Sequence, residues 1–237
     1  TPNPDKNWIQ VSERVRAFKA REFLLVSNTG VDKDGYDYCL ACGRIESSAA
    51  PEELLSQPHA TPFRSEEGSI CPGGAAKRHV ILGTDFKTDI ALFSFPLTEP
   101  FQLLPGSIEA DSVLRTLCEA MAKAACQTLD IEPGEVLAEY RPALTEKGAS
   151  GNEVEIFLYD TLAGGAGFST ELVNRARELF EHTRNLLASC PENCDTSCYR
   201  CLQSFRNRMD HSLLDRKLGI QFIEPVSYTH LRAHETC

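Results

Sequence analysis

CPENCDTSCYRC, Cys190 to Cys201, sets four cysteines into twelve residues at the spacing C-x3-C-x3-C-x2-C. Thiols this close must be oxidised to disulfides, buried as small hydrophobes or closed on a metal. The choice decides what the rest of the fold has to supply. Disulfide scaffolds are mostly small secreted domains that cannot build a core. This chain has 237 residues and is 42% hydrophobic, so it can fill a core without covalent staples. Four thiolates on one short loop can converge on a tetrahedral zinc, each sulfur about 2.3 Å from the metal.

An iron–sulfur cluster is the alternative, because CDTSCYRC contains C-x3-C-x2-C, the spacing of radical SAM enzymes. Those enzymes carry it ahead of a long fold, whereas few residues follow Cys201 here and Cys190 stands ready as a fourth ligand. Zinc on Cys190, Cys194, Cys198 and Cys201 is the reading adopted.

A second half-site lies in YCLACG, where Cys39 and Cys42 are followed by Gly43, a residue that lets the backbone turn toward the sulfurs. Two more ligands are needed, and His59 and Cys71 are the candidates. Residues 44–78 are rich in Pro, Ser, Gly and Glu and lack periodicity. An irregular stretch of that length needs something to pin it, and a metal would do so. Cys118 and Cys126 fall inside a helical pattern and read as core.

Net charge is −10, which excludes nucleic-acid binding by bulk electrostatics and leaves only a local basic face. That face is the segment 198–217, where Arg200, Arg206, Arg208, Arg216 and Lys217 oppose Asp210 and Asp215. Arginine suits phosphate contact, and Tyr199 and Phe205 are available for stacking. The competing reading is that these arginines offset the net negative charge of a zinc held by four thiolates. No apolar run is long enough to span a membrane and no signal peptide is evident, so the chain reads as soluble and cytoplasmic.

The opening TPNPDKNW, without Met, points to a piece of a longer protein. The end, SYTHLRAHETC from Ser227, has no periodicity that continues the preceding helix and reads as a non-native tail. Between them, the first 20 residues suit a helix or a linker, and EFLLVS at 22–27 a strand. HVILG and DIALFSF suit two buried strands separated by TDFKT. SVLRTLCEAMAKAACQTL carries Val113, Leu114, Leu117, Met121, Ala124, Ala125 and Leu129 on one helical face. EVLAEYRPAL and EVEIFLYD follow as strands, then the glycine loop AGGAG (163–167), a helix, and a last helix capped by Ser212. This order predicts an α+β fold: one mixed sheet with packed helices and zinc-binding loops at both ends. The expected parts are a strand-and-loop region with a zinc knuckle over 1–78, an α+β domain over 79–223, and the tail over 227–237.

Two features could carry catalysis. Gly164, Gly165 and Gly167 precede a helix and could cradle a phosphate, although the loop has no lysine and equally suits a tight turn. Asp89, Glu139, Glu155 and Asp160 lie near strand positions and could hold Mg²⁺, but Asp160 better suits capping the glycine turn.

YDTLAGGAGFSTEL, a helix, and then CPENCDTSCYRCLQSFRNRMDHSLLDR together resemble the MrfA-type zinc-binding domain, found at the C-terminus of certain superfamily 2 DNA helicases. YDYCLACG, PHATPFR and LGTDFKTDIALFSF also resemble the DrmB-like subunits of DISARM, a bacterial anti-phage system. The resemblance runs from residue 36 to 223 and implies zinc on the four clustered cysteines. It also implies a helicase motor as partner, on the same chain or another. The phosphate-binding motif of such a motor is absent from these residues, so ATP hydrolysis is not expected of them alone. The expectation is a non-catalytic accessory domain with about two zinc ions, contributing to a DNA path or to partner docking. The alternatives are a nucleotide- or DNA-phosphate-processing domain and a protein–protein scaffold.

Overall fold

The computed structural model describes residues 8–30, 33–50, 53–63, 69–96, 107–145 and 148–228. In chain order the elements are β1 (Ile9–Gln10), β2 (Arg16–Asn28), β3 (Tyr36–Cys39), β4 (Ile45–Ser47), α1 (Glu53–Ser56), β5 (His59–Ala60), β6 (Ile70–Cys71), β7 (Ala76–Val80) and β8 (Leu82–Pro96). They continue with α2 (Ile108–Leu129), β9 (Val136–Thr145), β10 (Gly148–Asp160), α3 (Phe168–Asn174), α4 (Ala176–Ala188) and α5 (Arg216–Tyr228). The chain divides into two compact units, residues 1–22 with 87–237 and residues 23–86, the boundary falling inside β2 and β8.

The larger unit is built on a sheet ordered β1-β2-β8-β10-β9. β10 runs antiparallel to β8, with Ile156 opposite Phe93 and Leu158 opposite Ala91, and antiparallel to β9. Helix α2 packs on α4, α5 and β9. Its start is fixed by Ser107, whose hydroxyl accepts the Ala110 amide at 3.1 Å, and its end by Asp130 in the left-handed region. Its buried face includes Val113, Leu114, Leu117, Met121, Ala124 and Ala125, and both Cys118 and Cys126 are buried. Phe180 of α4 meets Phe93 and Phe95 edge-on at 5.5 and 5.9 Å, and Phe95 in turn meets Phe222 of α5 at 5.9 Å. Those rings join the sheet to two helices, with an aromatic preference added to their buried area.

The smaller unit has a three-stranded sheet, β4-β3-β7, and a two-stranded one, β5-β6, with His59 opposite Cys71. Among its described residues, the one cluster of buried apolar side chains consists of Cys39, Leu55 and Cys71, with Cys42 and Ala76 against it. That is too little apolar burial to order some sixty residues, so this unit needs another source of cohesion.

The α+β class expected from the sequence holds, but the strands form three sheets among the described residues rather than one. TDFKT does not separate two strands: β8 runs straight through it. Thr84, Phe86 and Thr88 are good strand formers with no proline among them. Burial changes abruptly along β8, from mostly exposed over 82–87 to wholly buried over 88–95. HVILG is therefore not core: Ile81 and Leu82 are exposed, in the unit whose helix is a single turn. From Ile9 the N-terminal segment is strand rather than helix or linker. The last helix begins at Arg216, capped by Asp215, whose carboxylate accepts the Lys217 and Leu218 amides, so Ser212 is not its cap. It continues through Ser227 and Tyr228, and the rest of the expected tail lies outside the described residues.

Phe180→Ala should lower the stability of the larger unit by about 3–5 kcal/mol, whereas Cys118→Ser should cost about 1–2 kcal/mol. Urea denaturation followed by circular dichroism measures both.

Candidate metal centres

The two cysteine-rich groups anticipated from the sequence each converge. The ligand atoms of Cys190, Cys194, Cys198 and Cys201 lie within 4.8 Å of one another, as do those of Cys39, Cys42, His59 and Cys71. A tetrahedral zinc with sulfur ligands at about 2.3 Å sets neighbouring sulfurs about 3.8 Å apart. In the larger unit Cys190–Cys198 is 3.5 Å, Cys194–Cys201 3.6 Å and Cys198–Cys201 3.8 Å. In the smaller unit Cys39–Cys71 is 3.8 Å, and the Cys42 sulfur lies 3.2 Å from His59 Nε2.

Local backbone geometry sets each group. Gly43, at φ 76°, returns its amide to the Cys39 carbonyl at 2.8 Å, closing the first knuckle. His59 Nδ1 lies 2.8 Å from the Gln57 carbonyl, which fixes its proton there and leaves Nε2 to face the sulfurs. Gly73, at φ 81°, passes so near α1 that a Cβ would stand 2.4 Å from the Ser56 carbonyl oxygen. In the second loop Asn193 takes the left-handed conformation and donates its amide to the Cys190 carbonyl, while the Cys198 amide points at the Cys201 sulfur at 3.2 Å.

The thiols within each group differ in acidity. Amides of Cys194 and Glu192 aimed at Cys190 pull its pKa to about 6, and those of Cys42 and Ala41 do the same for Cys39. Burial and the neighbouring sulfurs push Cys194 up to about 12, and burial raises Cys201. One thiolate thus forms readily and its charge opposes the others, until a cation offsets them. Both donor sets, four sulfurs and three sulfurs with one imidazole, suit structural zinc.

Lys123 and Asn207, which the sequence reading did not single out, hold the second loop in place together with Arg216, which it had placed on the basic face. Lys123 of α2 donates to the Cys201 and Gln203 carbonyls at 2.5 and 3.4 Å. Arg216 donates to the Cys194 carbonyl at 2.8 Å and to the Leu187 carbonyl at 3.2 Å, tying α5 to the end of α4. Asn207 is 4% exposed; its side chain donates to Glu119 and the Leu202 carbonyl and accepts the Ser204 amide. Only their positions after the cysteines, or on the polar side of α2, mark them in the sequence. Lys217 pairs with Asp195, so two of the five cations of segment 198–217 face the loop itself.

Arg200, Arg206 and Arg208 are exposed. Arg208 lies over the Phe205 ring at 4.8 Å, and Tyr199 meets His211 edge-on at 5.3 Å. Tyr199, Phe205 and Met209 are 65%, 75% and 81% exposed, so aromatic and thioether surface is interleaved with the arginines.

The glycine loop is filled by the protein's own carboxylates. Asp160 accepts the amides of Ala166, Phe168 and Ser169 together with the Ser169 hydroxyl. Asp89 accepts the Gly167 amide and a bidentate pair from Arg21, which holds its pKa below the usual carboxylate range. The Gly164 and Gly165 amides go to the Lys87 and Leu162 carbonyls. The phosphate reading of Gly164, Gly165 and Gly167 therefore meets amides that are already satisfied, and Asp160 does cap the turn. A Cβ at Gly165 would stand 2.2 Å from Asp89 Oδ2, so glycine is needed there for close approach. Glu139 pairs with Arg115 and Glu155 with Arg141, and the four acids do not gather at one point among the described residues.

Residues 117–202 match the family model of the MrfA Zn-binding domain. The chain carries a zinc-binding domain of the MrfA type. Over 221 residues it is 31% identical to Druantia protein DruE of Escherichia coli (strain UMEA 4076-1), covering 86% of this chain and 12% of that protein. The chain thus spans about an eighth of the length of that relative. Among solved structures, the DUF1998 helicase MrfA bound to DNA aligns with TM-score 0.47 and 13% identity, over 89% of this chain and 26% of that one. The same helicase with DNA and AMPPNP aligns at TM-score 0.43 over 88% and 22%. No helix among the described residues is long and apolar enough to cross a membrane.

Elemental analysis should find about two zinc ions per chain and little iron. Because the ligands must shed protons, apparent zinc affinity should climb as pH rises above about 6, where Cys190 ionises while Cys194, at about 12, still holds its proton. A chelator competition across pH measures this. Stripping the metal should expose residues 23–86 to protease before the larger unit, because their apolar cluster is built on Cys39 and Cys71.

Proposed function

We propose that this chain is a zinc-stabilised, non-catalytic accessory part of a larger DNA-handling protein, in which the segment from Tyr199 to Met209 touches single-stranded DNA. The observation that carries this reading is the exposed surface beside the cysteine cluster, where Arg200, Arg206 and Arg208 alternate with Tyr199 and Phe205. Guanidinium groups take phosphates and exposed rings take bases, in a way tolerant of sequence. A structural metal beneath the loop would hold these side chains in register and add no chemistry of its own.

The pairing of Asp89, Glu139 and Glu155 with arginines and the filling of the glycine loop favour the non-catalytic role over phosphate processing. The family model bears the name of MrfA, a helicase solved with DNA, so a helicase motor, in cis or in trans, is the proposed partner. At −10 the chain as a whole repels phosphate, so the isolated protein should bind single-stranded DNA weakly and at low salt.

Each phosphate neutralised on a single strand contributes about −0.7 to the slope of log affinity against log salt, so three arginines give roughly −2. Replacing Arg200, Arg206 and Arg208 together by Ala should flatten that slope and leave zinc content intact, as fluorescence anisotropy and elemental analysis would report. An unchanged slope would sink the DNA reading and favour docking to a protein partner. Loss of zinc would assign the arginines to the thiolates instead.

A further inference from the structure

A pocket of about 810 Å³ opens in the larger unit between the C-terminal halves of α2 and α4, the turn before β9 and the cysteine loop. Its walls are aliphatic, among them Ala122, Ile131 and Leu186. Gln127 of α2 and Asn185 of α4 bring amide edges to it, both from exposed positions. Arg200 and Arg206, from the loop assigned above to DNA, also line it, as do Asp130 and His182. The volume falls within the range of sites that take small organic ligands.

The charges in the lining are not equally available. Lys123 is committed to the Cys201 and Gln203 carbonyls and Glu119 to Asn207, so these offset one another inside the wall. Arg200 meets Glu192 only at 3.9 Å, with both side chains largely exposed, a contact water and salt screen easily. Arg206 lies across the turn at Gly134, where φ is 100° and a Cβ would stand 2.7 Å from Nη2. Only a residue without a side chain lets the guanidinium rest there. The result is a largely apolar cleft with amides on its sides and two guanidinium groups that can turn to an anion, against one exposed carboxylate in the lining, Asp130.

From this combination we infer that the pocket receives one unstacked nucleotide: the base between the aliphatic walls, its edge toward Gln127 and Asn185, its phosphate toward Arg200 and Arg206. The inference rests on the DNA reading and sharpens it, because the exposed rings would hold the neighbouring bases while the pocket takes one out of the stack. The same chemistry would fit a free mononucleotide, and the test separates the two sources.

The probe is an oligothymidylate carrying a single 2-aminopurine, an adenine analogue whose emission rises on unstacking, added to the zinc-loaded full chain. The comparison variants are Gln127→Phe and Asn185→Phe. Each narrows the pocket from an exposed helical position, and circular dichroism and zinc content check that each is folded. Emission should rise with the wild type. In both variants it should stay flat, and anisotropy should report affinity about tenfold weaker, the worth of one buried apolar group. Arg208→Ala, outside the pocket, should weaken binding but keep the rise per strand bound. Competition by deoxyadenosine monophosphate would identify the free nucleotide as the ligand, and its absence the strand. If both Phe variants match the wild type in emission and affinity, the pocket inference is wrong while the arginine face keeps its own salt-slope test. If the strand does not bind but 2-aminopurine deoxyribonucleotide does, and loses binding in the Phe variants, the pocket stands and the strand reading falls. Binding of neither overturns both.

Discussion

Sulfur atoms 3.5–3.8 Å apart cannot all carry charge unless a cation sits among them. Much of this architecture follows from that constraint, met twice. In the smaller unit the cysteines are also nearly the whole apolar cluster, since Cys39 and Cys71 are buried against Leu55 and little else. Metal binding and folding are then the same event for residues 23–86. The larger unit differs: its sheet, α2 and the Phe93–Phe180–Phe95 contacts form an extensive core, of which the metal-site thiols are only a small part, Cys201 buried in it and Cys190, Cys194 and Cys198 packed against it. There the metal would order a loop on a body already folded.

That body reaches the loop through polar contacts. Lys123 projects from α2 to the carbonyls at Cys201 and Gln203, Glu119 reaches Asn207 from the same helix, and Arg216 draws the Cys194 carbonyl toward α5. A loop held from three sides can present Arg200, Phe205, Arg206 and Arg208 in fixed positions, which a mobile arginine-rich segment could not do at comparable entropic cost. The cleft beside Arg200 and Arg206 lies where the ends of α2 and α4 meet this suspended loop.

The glycine loop shows how alike an anion site and a structural turn can look. A helix start with free amides attracts a negative group, and here Asp160 and Asp89, at the C-terminal end of β10 and within β8, supply it. Gly165 is glycine because Asp89 needs the space, and Arg21 then fixes Asp89. Strand, turn and helix are joined without a ligand.

What the sequence determined by itself was chemistry written at short range. The spacing of Cys190, Cys194, Cys198 and Cys201, the Cys39–Cys42–Gly43 knuckle and the apolar face of α2 are local patterns, and each appears in the structure as read. His59 and Cys71 were legible as candidates because the irregular stretch around them needed pinning. Only the tertiary structure could decide matters that depend on pairing across the chain. Whether TDFKT is a turn or mid-strand depends on which neighbours β8 finds, and whether HVILG is core depends on whether a helix covers it. The occupancy of the Gly167 amide was set by Asp89, seventy-eight residues away, and that of Gly164 by the Lys87 carbonyl. The division of the arginines between the loop and solvent was set by the carbonyls that α4 and the cysteine loop bring to Arg216. A spacing motif encodes a ligand set because the backbone alone brings its atoms together, whereas burial and hydrogen-bond occupancy exist only once distant segments have packed.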